Sequence, residues 1–183
     1  MRSLVYLTVV ALALPAAARA QQQQPAPKSA GPVVGASEML LDRYGTNLVE
    51  AARAMPAEKY GYKPTPQQMS FGEVVSHLAE ANNMFCAHAS DLPIPAKVPE
   101  ATAPKDELVA ALEKSFAFCK DAVSRIDESK LGDQVTLFGE RKASRAAVLF
   151  VQTGDMFDHY SQMSIYLRLN GLLPPTARPK PTM

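Results

Sequence analysis

The chain has 183 residues, 47% of them hydrophobic and 20% charged, with a formal charge of +1. That length allows one domain with a sizeable core, and the near-neutral balance excludes the electrostatic footprint of a nucleic-acid-binding protein. The first 20 residues, MRSLVYLTVVALALPAAARA, read as a secretory signal peptide. Arg2 gives the positive start, Leu4 to Leu14 an apolar run too short to span a membrane, and Ala18-Arg19-Ala20 a small-residue cleavage site. The expectation is an exported protein, periplasmic or secreted, with no membrane segment after cleavage. Removing residues 1–20, which carry two arginines and no acid, leaves 163 residues and changes the charge from +1 to −1. Residues 21–36, QQQQPAPKSAGPVVGA, read as a disordered leader.

The first predicted helix runs from about Ser37, a candidate N-cap, to Ala54, where Pro56 ends it. Leu41, Tyr44, Leu48, Ala52 and Met55 form its buried stripe. A loop rich in Pro, Gly and Tyr follows and is expected to cover one end of the domain. The second helix runs from about Phe71 to Ala89. Ser70 and Glu73 have capping-box spacing, which accounts for Glu73 without any chemistry. The proline-rich stretch 91–105 reads as an extended crossover, because each proline restricts the residue before it. The third helix, about Lys105 to Ile126, has a stripe of Leu108, Leu112, Phe116, Cys119 and Val123. Residues 132–140 alone have strand character and allow at most a short hairpin. The fourth helix runs from about Ser144 to Asn170, with Gly171 as its C′ residue and Pro174-Pro175 barring continuation. Residues 176–183 read as a flexible tail. Four amphipathic helices without a convincing sheet make an all-α, four-helix bundle of residues 37–175.

The fourth helix carries an unusual row. Val148, Gln152, Asp155, His159, Gln162 and Tyr166 share a face that borders the apolar seam of Leu149, Met156, Tyr160, Met163 and Leu167. The chain has three histidines. His77 lies on the inward side of the second helix, and Asp155 and His159 stand one turn apart on the fourth. Two imidazoles and a carboxylate from facing helices are a donor set for zinc, nickel or iron(II) with open positions. Gln162, Tyr166 and Gln152 are candidates to orient the ligands or a substrate. The structural alternative is a hydrogen-bonded polar row with a local Asp–His ion pair. His88 lies three turns from His77, roughly 16 Å at 1.5 Å per residue, too far to share an ion. Asp158 falls off the row, towards solvent. The two cysteines, Cys86 and Cys119, form either a disulfide or a pair of buried thiols. No G-x-S-x-G, phosphate-binding glycine loop, H-E-x-x-H or C-x-x-C is present.

Three stretches together resemble the DinB/YfiT-like family of four-helix bundles: MPAEKYGYKPTPQQMSFGEVVSHLAEANNMFC, DHYSQMSIYLRLNG, and the Pro-Pro that follows. The second is similar to the family's H-H-x-G-Q-L-x-x-Y-L-R-x-x-G ending. The resemblance implies a divalent metal held by one histidine of the second helix and two of the last. His77 and His159 match two of those positions; the third is Asp155, and the family's glycine before the glutamine is Ser161. Relatives of this kind include thiol-dependent transferases and isomerases that use small cytoplasmic thiols, a substrate that does not carry over to an exported member. The leading expectation is an exported bundle that binds a divalent metal through His77, Asp155 and His159; if the centre is catalytic, hydrolysis or group transfer on a small molecule would follow. The alternative is a non-catalytic binding or structural bundle with a degenerate metal site, and a homodimer is compatible with either.

Overall fold

A computed structural model describes residues 31–179 of the chain. Four α-helices and one hairpin, with short 3₁₀ turns, make up the regular structure among them: α1 (Pro32–Ala54), α2 (Phe71–Ser90), α3 (Lys105–Ser124), β1 (Gln134–Phe138), β2 (Arg141–Ser144) and α4 (Arg145–Leu169). The expected all-α four-helix bundle with a short hairpin is the observed fold. The proposed signal peptide, residues 21–30 of the leader and the last four residues lie outside the described residues.

α1 and α2 each pack against both α3 and α4, so they occupy opposite corners of the bundle. Cross-helix contacts fix the directions. Asn82 bonds Ser115 and Cys86 is disulfide-linked to Cys119, so α2 and α3 run parallel. Asn82 also bonds Gln152, while Ala89 receives Arg145, so α2 and α4 run antiparallel. Lys120 pairs with Asp42, and Glu113 with Arg53, so α1 opposes α3. The 20 residues of α2 span about 30 Å. A parallel neighbour therefore needs a connection that returns the whole length, and residues 91–104 supply it in extended form at ~3.3 Å per residue. Gly72 lies against this crossover: an added Cβ would stand 2.7 Å from the Ala101 carbonyl oxygen.

Local signals act as expected at most helix ends. Ser70 and Glu73 form the full capping box, and hydrogen bonds from the Ser70 backbone hold the Glu73 carboxyl down at about 2. Ser144 caps α4 through Ala147 N. At the other end Gly171 takes φ +74°, and Leu172 N bonds back to Leu167 O. The hairpin is antiparallel, with a bulge between Thr136 and Phe138 and Gly139 at φ +52°.

The start of α1 corrects two expectations. Residues 32–36 are helix, not disordered leader, and Ser37 is not a cap but a buried residue whose hydroxyl donates to Val33 O. Pro32 occupies the first turn, where its missing N–H costs nothing. The free N–H groups of Val33 and Val34 instead donate to the carboxylate of Glu128, at 2.8 and 3.1 Å. Glu128 sits so close to Gly31 that a Cβ there would be 2.3 Å from it. At the C-terminus, Pro175–Ala177 forms a 3₁₀ turn, and Thr176 N donates to the Tyr160 hydroxyl, so the expected tail is docked at its start.

The Cys86–Cys119 disulfide closes a 33-residue separation between α2 and α3. The chain-entropy model gives about 3–4 kcal/mol for a loop of that size. Urea unfolding of Cys86→Ala/Cys119→Ala should show that loss, with the helical circular-dichroism spectrum kept below the transition. An unchanged midpoint would mean that helix packing alone fixes α2 against α3.

Candidate metal centre

α2 and α4 present their polar rows to each other near one end of their contact. His77 Nε2 lies 3.6 Å from Asp155 Oδ1, and His159 Nε2 lies 3.5 Å from the same oxygen. One ligand atom from each of the three residues falls within 4.8 Å of the others. The two imidazole rings meet edge to face with centroids 4.8 Å apart. His159 is buried, Asp155 mostly so, and His77 remains half exposed, so the cluster has one open side.

A hydrogen-bond chain sets the direction of the His159 ring. The Met69 carbonyl can only accept, so Tyr166 donates its hydroxyl proton to it, at 2.7 Å. The Tyr166 oxygen then accepts from Gln162 Nε2 at 3.1 Å. That turns Gln162 Oε1 towards His159 Nδ1, 2.9 Å away, which must donate. In the neutral ring the proton is therefore on Nδ1, and the Nε2 lone pair faces Asp155. Three electron-pair donors thus converge. Their 3.5–3.6 Å separations exceed the ordinary 2.7–3.2 Å of an N–H···O bond. They are close to the ~3.3 Å edge of a tetrahedron with metal–ligand bonds of about 2.0–2.1 Å. The two separations from Asp155, the donor types and the support from outer groups therefore fit a small divalent cation, with the third separation, between the imidazoles, inside 4.8 Å.

The same closeness shapes the electrostatics without an ion. Burial works to raise the Asp155 carboxyl, but His159 and then His77 outweigh it and hold it at about 2. Burial works to lower His159, yet Asp155 and Gln162 outweigh it and raise the imidazole above its usual value.

Of the other expected residues, Gln162 and Tyr166 stand behind His159 as described. Gln152 does not reach the cluster. It is 2% exposed and donates its amide to Asn82 Oδ1, and Asn82 passes the chain to Ser115 in the core. A turn of helix turns Gln152 away from the ligands and into the α2–α3–α4 seam. His88 stays apart near the end of α2, and Asp158 is exposed. The Met69 carbonyl, which anchors the chain behind His159, had no sequence signal, because a backbone acceptor in a loop looks like any other.

The match to the DinB superfamily model covers residues 40–163. The chain belongs to the DinB superfamily. No curated protein matches it. Among solved structures, a DinB-like protein from Bacillus subtilis superposes with a TM-score of 0.63 at 18% identity, over 79% of this chain and 99% of that one. A DinB-like protein from Bacillus cereus gives 0.65 at 14% identity, over 77% and 95%. A mutant of mycothiol-dependent maleylpyruvate isomerase gives 0.59 at 12% identity, over 71% of this chain and 60% of the isomerase. At these identities the likeness is one of fold.

The ion pair has a clear pH signature in metal-free protein. Its Asp155 share is present above the carboxyl's unfolded value near 3.9 and is lost as pH falls through about 2. Its His159 share is full below about 6.5 and is lost as pH rises through the raised folded value. By NMR, His159 should titrate above 6.5 in the parent and at lower pH in Asp155→Asn. An identical titration in both proteins would place Asp155 outside the electrostatics of the ring.

Proposed function

We propose that the protein is an exported DinB-type bundle that holds a divalent cation with His77, Asp155 and His159 and serves a metal-dependent hydrolase or transferase reaction on a small molecule. The convergence of the three donors, with His159 held in its metal-ready tautomer, carries this reading. Zinc or nickel suits two imidazoles and a carboxylate best, and iron(II) is also compatible. Export rests on the charged, apolar and small-residue order of residues 1–20, with the Cys86–Cys119 disulfide in keeping with an oxidising compartment.

The ion, when bound, would supply Lewis acidity to a coordinated group. The protein's own residues divide the remaining work. Gln162 and Tyr166 keep the His159 ring from rotating. Asp155, held ionised by its neighbours, offsets the cation's charge. His77, on the half-exposed side, marks the face by which a small molecule approaches.

Elemental mass spectrometry on tag-free protein tests this directly. About one ion per chain is expected, lost in His77→Ala and in His159→Ala. Gln162→Leu should bind the same number of ions with roughly 10–100-fold lower affinity, as for other groups behind a ligating histidine. Metal at 100 times its dissociation constant should stabilise the fold by about 2.7 kcal/mol. No bound ion after soaking in zinc or nickel would overturn the reading and leave a non-catalytic bundle with a degenerate site.

A further inference from the structure

A cleft of about 680 Å³ opens beside the metal centre, with His77 and Asp155 in its wall. We propose that it is the ligand site served by that centre, and that it takes an uncharged, elongated apolar small molecule with a polar end towards the wall formed by His77 and Asp155; the assignment rests on the metal reading above. The volume lies within the range of small-molecule sites. Met84, Phe85 and Val151 form the helical side, Ile94 and Val98 come from the crossover, and Phe138 comes from the hairpin. Ile94 and Phe138 are 55% and 41% exposed, apolar surface that an apolar ligand would cover. Phe138 is braced edge to face on Phe85, at 5.3 Å between centroids.

Gly154 makes room. It sits inside α4, where glycine is a poor choice for helix stability. A Cβ there would meet nothing within 4 Å, and the residue lines the cleft. A Cβ added there would therefore displace no neighbour, and a larger side chain would start from the wall of the cleft.

Charge selects the class of ligand. Glu80 and Asp158, both exposed, stand in the lining with Asp155. Lys97, the one lysine or arginine there, is bound to Glu100 at 2.5 Å. A divalent ion would offset this negative charge without making the cleft attractive to an anion. Carboxylate- and sulfonate-bearing amphiphiles are disfavoured, and uncharged ones are preferred.

The test uses two probes that share one ring skeleton. N-phenyl-1-naphthylamine is uncharged, and 1-anilinonaphthalene-8-sulfonate adds a sulfonate. The uncharged probe should bind once per chain, and the sulfonate at least tenfold more weakly. Gly154→Leu should weaken the uncharged probe at least tenfold while metal content and helical content are retained and the melting temperature does not fall. Ile94→Glu, on the crossover and away from the helices, should do the same. Equal affinity for the two probes, or affinity within twofold of the parent in both variants, would overturn the assignment. Metal content measured on the same samples separates the two readings. A metal-loaded protein whose probe ignores both variants sinks the cleft alone. A metal-free parent that loses the probe in both variants sinks the metal reading and leaves an apolar binding site.

Discussion

The structure depends on α4 lying antiparallel to α2 in one fixed register. Four polar contacts pin it along the length of the pair. Tyr166 bonds Met69 just before α2, His77 faces Asp155 and His159, Asn82 meets Gln152, and Arg145 reaches the Ala89 carbonyl and the Asp91 carboxylate. A slip by one turn would break all four together. Apolar packing supplies most of the favourable energy of a bundle, but methionines, leucines and valines tolerate neighbouring registers. Directional bonds between buried groups do not, because an unpaired buried donor or acceptor costs about 1–3 kcal/mol. The register brings His77 to the two residues of α4 with which it can share an ion.

The bundle also shows how a site is held by parts that never touch it. The disulfide and the Asn82–Ser115 bond tie α2 to α3. Glu128, in the link before the hairpin, caps the start of α1. The aromatic loop closes over the end where the chain behind His159 finds its last acceptor: Tyr60 bonds Ala52 O, and Tyr62 stacks edge to face on Tyr166. The loop that looks like a connector is thus the anchor of the ligand's orientation. The crossover and the hairpin, which the bundle needs only as connections, become walls of the cleft beside it.

Much of this was legible in the sequence because it is local. Period and caps placed α2, α3 and α4 within two residues of their ends, and the spacing of Asp155 and His159 put them on one face. What was not legible depends on distant partners. The first turn of α1 looks like leader in the sequence because its cap is a carboxylate 95 residues away. The polar row suggested that Gln152 belonged with Asp155, but side chains a turn apart can diverge when one neighbour offers a buried acceptor, as Asn82 does. The spacing of Cys86 and Cys119 leaves their pairing open because it needs α2 and α3 to be parallel, and that follows from the reach of the crossover. The cleft had no signal at all, since four separate segments build it: α2, the crossover, the hairpin and α4.

The central claim is a ligand set, and X-ray absorption at the edge of the bound metal reads a ligand set directly. Zinc- or nickel-loaded protein should show two imidazoles and further light oxygen donors, with no sulfur. A first shell without imidazole, or one containing sulfur, would contradict the assignment of His77, Asp155 and His159.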